Sequence, residues 1–172
     1  MYKRQQKILA KPPLALGKLE PVAIQIAAMT GNPAPRLKDK AVVLFAADHH
    51  IADHGLSLTS TDVTYIQTRN FLQGGGTINA FTRNAGARLS VVDVGVNYDF
   101  GDLPGLVKRK VMHGANDFSR GPAMTREQAL ECLQVGIDMA REEKARGLDI
   151  VAAGEMGIGN TTPSSALSLI HI

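Results

Sequence analysis

Tryptophan is absent from this chain of 172 residues, cysteine occurs once and aromatic residues make up 5% of the positions. The single thiol, Cys132, cannot close an internal disulfide, so a secreted disulfide-stapled scaffold is excluded and a reducing, cytoplasmic setting is expected. The longest unbroken apolar run is Ala41–Ala47, far short of the roughly 20 residues that cross a bilayer, so no membrane partner is expected. The N-terminal stretch MYKRQQKILAKPP is basic but lacks the apolar h-region of a signal peptide. What remains, 44% hydrophobic residues with 20% charged and 17 glycines, is the composition of a soluble domain able to bury a core.

Acidic residues are missing from one place in particular. The first 18 residues hold Lys3, Arg4, Lys7, Lys11 and Lys18 and no acid; of the 19 basic residues this leaves 14 to set against all 16 acids, so the rest of the chain is slightly acidic. The net charge of +3 therefore belongs to a short arm, solvated or packed on a partner subunit, and not to a basic face. With few aromatics and none interleaved with basic residues, nucleic acid is not an expected partner.

Hydrophobic periodicity divides the chain into alternating elements. Leu19, Val22, Ile26 and Met29 recur at helical spacing between Pro21 in a first turn and Gly31 as a stop, predicting an amphipathic helix over 19–30. AVVLFAA (41–47), RLSVVDVGV (88–96) and LDIVAAG (148–154) read as strands buried on both faces. Helices are predicted over about 62–72 and 77–85, the second closed by Gly86. Residues 97–121 read as irregular, with a short strand at 108–112. Thr125 and Gln128 form a capping box that opens a long helix ending before Gly147, with Leu130, Leu133 and Ile137 expected to face inward. A last helix begins near Pro163, and the terminal SALSLIHI reads as an element cut in its middle. Strands alternating with helices predict an α/β fold with a parallel sheet.

In such sheets ligands sit beyond the carboxyl ends of the strands. ADHHIADHG (47–55), DVGVN (93–97) and GEMGIGNTTP (154–163) all fall at that edge. In the last of these, Gly154, Gly157 and Gly159 allow a tight turn, Thr161 or Thr162 can cap the following helix, and the helix N-terminus favours an anion such as phosphate. No Lys follows the glycines, and their G-x-x-G-x-G order is not the dinucleotide fingerprint. The pattern alone leaves phosphate binding and a merely tight strand-to-helix turn both open. Glu155 points beyond phosphate cradling, because a carboxylate beside an anion is otherwise unfavourable.

The Asp48, His49, His50, Asp53 and His54 cluster admits three readings: metal ligands of a phosphoesterase, a hydrogen-bonded strand end, or a substrate site in which Asp48 and His49 hold a polar ligand. Residues 1–47 contain no His and only Asp39, too few donors for that class of metal site. Thr64, Tyr65, Gln67 and Thr68 lie near the same edge on a helix whose plain reading is a solvated face. Cys132 reads as core rather than nucleophile.

KPPLALGKLE (11–20), AVVLFAADHH…GLS (41–57), VTYIQ (63–67), VVDVGV (91–96), RGPAM (120–124) and above all GEMGIGNTTP together resemble the nicotinate-nucleotide–dimethylbenzimidazole phosphoribosyltransferase family, over residues of about 8–168. The resemblance implies a Rossmann-like parallel sheet with helices on both faces, and part of a small helical lobe at the N-terminus. It places a lobe segment in residues 1–37 and an incomplete α/β phosphoribosyltransferase domain in 38–172. It also implies a homodimer that moves phosphoribose from nicotinate mononucleotide to 5,6-dimethylbenzimidazole, giving α-ribazole 5′-phosphate for the lower ligand of cobalamin, with neither metal nor cofactor. By the same resemblance Gly157, Ile158, Gly159, Asn160 and Thr161 hold the phosphate, Thr59 and Gln67 line the base pocket, and Glu155 is a supporting carboxylate.

This sequence departs from the family pattern with Leu14-Ala15 for Gly-Ser, His50 for Gly, His54 for an acid and Ser60 for Pro. Three of these border the base pocket, so another benzimidazole or a phenolic base is open. Family members run to about 350 residues, a two-domain length, and their main proton acceptor belongs to the other half. Residues 1–172 are thus expected to be an N-terminal half that does not turn over alone and exposes an unpaired sheet edge, prone to aggregation or partial order.

Overall fold

The computed structural model describes residues 2–169, which divide between Lys38 and Asp39 into two compact units. The final residues of SALSLIHI, 170–172, lie outside the described residues.

The first unit is a pair of packed helices, α1 (Tyr2–Ile8) and α2 (Leu19–Thr30). No helix is predicted from the basic arm, yet Lys3, Arg4 and Lys7 are carried on α1 with their side chains exposed. Helix α2 keeps its predicted bounds but not its predicted face: Leu19, Val22 and Met29 are exposed, while Glu20 and Ala27 are buried. Glu20 accepts from Lys11 Nζ at 2.5 Å and from the Leu16 N–H at 3.3 Å, and the hydrogen bond from Lys11 holds its carboxyl below the usual range. Burying that pair turns the larger apolar side chains of α2 outward within this unit.

The second unit is a four-stranded parallel sheet in the order β3-β2-β1-β4, formed by β1 (Lys40–Ala47), β2 (Ala87–Gly95), β3 (Leu106–Lys108) and β4 (Ile150–Met156). Strand β1 is central, with Leu44 beside Val91 on one side and Gly154 on the other. Helices α3 (Val63–Leu72) and α4 (Thr77–Ala85) supply Tyr65, Phe71 and Ile78 to a core built on Leu44, Ala46 and Val91. Helix α5 (Arg126–Ala145) packs Val135 and Met139 against Val43 and Val92 in a separate cluster. The sheet thus has helices on both faces, an α/β architecture. Helix α6 (Thr161–Leu169) follows β4 and starts two residues before Pro163. Among the described residues no helix is long and apolar enough to cross a membrane.

Three expectations need correction. The short strand lies at Leu106–Lys108, where it extends the sheet beside Val91–Asp93, not at 108–112. The stripe of α5 expected to face inward is bare: Leu130, Leu133 and Ile137 are 53%, 65% and 45% exposed. At about 100° per residue these three lie on the side of the helix opposite Val135, Met139 and Glu143, the stripe that meets the sheet. Third, β4 is not covered on both faces, and its residues Ile150–Ala153 are exposed.

Glu143, at 0% exposure, anchors α5 to β2. Its carboxylate accepts from Arg88 at 3.0 Å, Ser90 at 2.9 Å and Arg146 at 3.0 Å. Burial pushes its pKa up, but the hydrogen bonds from Ser90, Arg88 and Arg146 outweigh this and leave it below the ordinary value.

Candidate active site

Strands β1, β2 and β4 deliver three segments to one edge of the sheet, as the sequence predicts. There a fourth segment, absent from that expectation, sews the first two of them together. The Asp48 N–H donates to Gly95 O, Gly114 N–H also donates to Gly95 O, Ala115 N–H donates to Asp48 O and His50 N–H to Ala115 O. The only sign of this in the sequence is Gly114, which takes a left-handed φ of 73° against the His50 ring. Asp93 is buried at the end of β2, where Oδ1 accepts from the Gly95 and Val96 N–H groups and Oδ2 pairs with Lys110 at 3.3 Å.

The turn after β4 packs directly on the Asp48 loop. Gly157 lies so close to the Ala47 carbonyl oxygen that a Cβ could not be placed there. Gly159 has φ +87°, and a Cβ on it would meet Ala52 at 2.8 Å. Both positions therefore require glycine, one for contact and one for conformation as well. Asn160 N–H donates to Gly157 O and Thr162 N–H to Gly159 O, while the N–H groups of Gly159 and Thr161 have no acceptor among the described residues. Those two donors and the N-terminus of α6 make the anion-favouring feature of the turn.

Side chains join the same place. His49 Nε2 donates to Asn160 Oδ1, and Asn160 Nδ2 donates to Glu155 Oε2, so one amide spans the imidazole and the carboxylate. The acceptor on Asn160 fixes the His49 tautomer with its proton on Nε2. Thr64 and Thr68 are fully buried, against the plain reading of a solvated helix face, and Thr64 Oγ1 accepts the Ile158 N–H at 3.0 Å. Thr64 is thus a site-forming residue, and the Ile158 N–H expected to face a phosphate is engaged by the protein.

Asp48 is buried; Oδ2 accepts the Asn97 N–H at 2.8 Å, and Oδ1 has no partner among the described residues. With His49, Tyr65 and Asn97 it lines a polar cavity of about 210 Å³. Gln67 faces a different hollow, about 480 Å³, bounded by Tyr65, Arg69 and Tyr98. Tyr65 belongs to both and stacks on Tyr98 with ring centroids 4.4 Å apart. Thr59 lies in an exposed loop with its hydroxyl 3.0 Å from Ser57 Oγ. The structure therefore gathers Asp48, His49, Glu155, Gly157, Gly159, Asn160 and Thr161, sets Gln67 beside them across Tyr65, and leaves Thr59 outside both hollows.

The remaining histidines of the cluster have carboxylate partners: His50 Nδ1 pairs with Asp53 at 3.0 Å, both lining the polar cavity, and His54 Nε2 pairs with Asp117 at 2.7 Å. No group of three or more His, Cys, Asp or Glu among the described residues is arranged to hold a metal ion. Cys132 sits half-buried on α5, and burial together with Glu131 pushes its thiol pKa up, the reverse of nucleophile activation.

Comparison with known proteins bears on the family and the fold. A phosphoribosyltransferase family model matches residues 1–171. A Geobacter sulfurreducens protein named nicotinate-nucleotide–dimethylbenzimidazole phosphoribosyltransferase is 52% identical over 157 residues, 91% of this chain and 45% of that protein. A Chloroflexus aggregans protein of the same name is 46% identical over 165 residues, 96% of this chain and 47% of its own length. The crystal structure of CobT from Thermus thermophilus superposes with a TM-score of 0.93 at 45% identity, covering 96% of this chain and 50% of that one. The chain spans about half the length of the curated relatives it matches. By sequence and by fold, then, it belongs to the nicotinate-nucleotide–dimethylbenzimidazole phosphoribosyltransferase family.

Proposed function

We propose that these residues form one half of a site that transfers phosphoribose from nicotinate mononucleotide to 5,6-dimethylbenzimidazole or a related base. The observation that carries this reading is the 157–161 turn, where free N–H groups at a helix N-terminus stand next to the Glu155 carboxylate. The turn takes the nucleotide phosphate, which fixes the ribose beside Glu155. The C1′–N bond to the nicotinate ring breaks with its electron pair going to the ring nitrogen, which was cationic and becomes neutral. A benzimidazole nitrogen forms the new bond to C1′ from the opposite face, inverting β to α, and the proton on the other azole nitrogen is lost to a base.

Glu155, held by Asn160, stabilises the positive charge that grows on the ribose. The acceptor of the azole proton comes from the half of the family fold outside these residues, so residues 1–172 alone are not expected to turn over. Gln67 and Thr59 border the base, with Thr59 brought in by movement of its loop. Residues 1–37 belong to the small helical lobe, residues 38–172 to the transferase domain, and the complete protein is a cytoplasmic homodimer.

The test uses this half joined to the remaining half of the Geobacter sulfurreducens relative. Nicotinate release that depends on added benzimidazole is expected, reduced at least tenfold by Glu155→Gln, and Gly157→Ala should abolish nucleotide binding. Release without any added base, or unchanged binding in the Gly157 variant, would overturn the assignment.

A further inference from the structure

We propose that His49 is a positioning residue, acting through the Asn160 amide to hold the Glu155 carboxylate beside the reacting ribose. Its catalytic effect rests on the reaction proposed above; the hydrogen bonds that transmit it do not.

Glu155 is exposed, and Asn160 is the one hydrogen-bond partner of its carboxylate among the described residues. A solvated glutamate has three rotatable side-chain bonds and no single posture, so a carboxylate that acts at one point beside C1′ must be held there. The main chain of Asn160 is well fixed. Its N–H donates to Gly157 O at 3.2 Å, and its carbonyl accepts from the Ser164 hydroxyl at 2.8 Å.

The side-chain amide is a separate matter, because its two orientations differ chemically. With Nδ2 toward Glu155 it donates to the carboxylate; turned over, it would set a second acceptor against it. His49 decides between them. Its Nε2–H needs an acceptor, so Oδ1 takes that side and Nδ2 is left for Glu155. The backbone in turn places His49, which is extended two residues beyond β1, bridged to Ala115, and accepts the Ala52 N–H on its carbonyl at 2.9 Å. The loop after β1 thereby governs a carboxylate on β4. Asn160 also belongs to the anion-favouring turn, so phosphate and carboxylate share one support.

The experiment is a double-mutant cycle in the joined protein. His49→Ala is expected to lower kcat at least tenfold and to change KM for nicotinate mononucleotide less than threefold. In a Glu155→Gln background the same change should cost less than twofold, since no carboxylate remains to be positioned. A side chain that only stabilised the fold would cost the same in both backgrounds. His49→Gln, whose amide can donate to Asn160 Oδ1, should recover at least threefold over His49→Ala. Asn160→Ala, which breaks the relay at its centre, should show the same non-additivity with Glu155→Gln and serves if the histidine variant does not fold.

Additive effects of His49 and Glu155, or a kcat unchanged by His49→Ala, would overturn the proposal and leave the reaction standing. In residues 1–172 alone, NMR should show slow exchange of the Asn160 side-chain amide protons with water, at least tenfold faster in His49→Ala. Equal exchange in the two would also overturn it. Exchange that responds to His49, in a joined protein without benzimidazole-dependent nicotinate release, would count against the proposed reaction and leave the relay standing.

Discussion

Ile158 donates its backbone N–H to Thr64 Oγ1 at 3.0 Å, joining α3 to the glycine turn across 94 residues of chain. Removing the acceptor strands a partly buried N–H, which costs about 1 kcal/mol and lets the turn relax. Thr64→Val should therefore weaken nicotinate mononucleotide binding roughly fivefold in the joined protein and lower the urea midpoint of the isolated chain. Thr64→Ser, which keeps the oxygen, should restore most of both. Calorimetry and urea unfolding give the two readouts.

Glu143 should be the most costly polar side chain to remove in the α/β unit. Glu143→Gln leaves Arg88, Ser90 and Arg146 facing an amide that cannot satisfy all three. Since both arginines reach solvent in part, the loss falls at the low end of that for broken buried pairs, about 3 kcal/mol. The matching drop in melting temperature is roughly 6–12 °C by scanning calorimetry. A change below about 2 °C, less than 1 kcal/mol on the same scale, would show that the network adds little.

Asp117 gives the site margin a dependence on acid. The hydroxyl of Ser119, then His54, hydrogen-bond its carboxylate and lower its pKa to about 2 from an ordinary 3.8. A carboxyl with a depressed folded-state pKa contributes stability that is complete above the ordinary value and is lost as pH falls toward the folded one. The loop that carries Asp117 should accordingly stay ordered to about pH 4 and loosen below it. His54→Ala should raise the Asp117 pKa toward the ordinary value and so shrink this acid-sensitive contribution, which an NMR titration of the Asp117 carboxyl carbon would record.

Leu14 is the one non-glycine residue at positive φ among the described residues, at 61°. The resemblance implies glycine at this position, and the backbone gives a reason, because a Cβ in the left-handed region costs about 1–2 kcal/mol. The side chain is 78% exposed, so deleting it sacrifices little burial. Allowing for the extra freedom of glycine in the unfolded chain, Leu14→Gly should stabilise the N-terminal unit by roughly 0.5–1 kcal/mol. Hydrogen exchange within α2 would register the change.

The three long strands are legible because runs such as AVVLFAA allow little else, and the carboxyl-edge rule then points to the edge where their following segments meet. Side-chain facing was less legible. On α5 both stripes are apolar, and the one with the larger residues, Leu130, Leu133 and Ile137, was the natural choice for the core. It is the opposite stripe, with Val135 and Met139, that meets the sheet, and residue size alone does not distinguish the two. Thr64 and Thr68 looked like a solvated face, since threonine carries no sign that a glycine turn 94 residues away will close over it. Glu143 sits in REEKAR, a run that reads as solvated, and only β2 packing against it reveals Ser90 and Arg88 as partners.

The placement of β1 inside the sheet also bears on how the protein is made. Its partner β2 begins 47 residues after it, but β4 begins 110 residues after it. At roughly 5–20 residues per second, synthesis of residues 96–156 takes about 3–12 s after β2 is complete. Throughout that interval the flank of β1 reserved for β4 is open on a strand of almost wholly apolar residues. The species most exposed to misassociation is therefore the nascent chain, and its hazard is set by translation speed between β2 and β4.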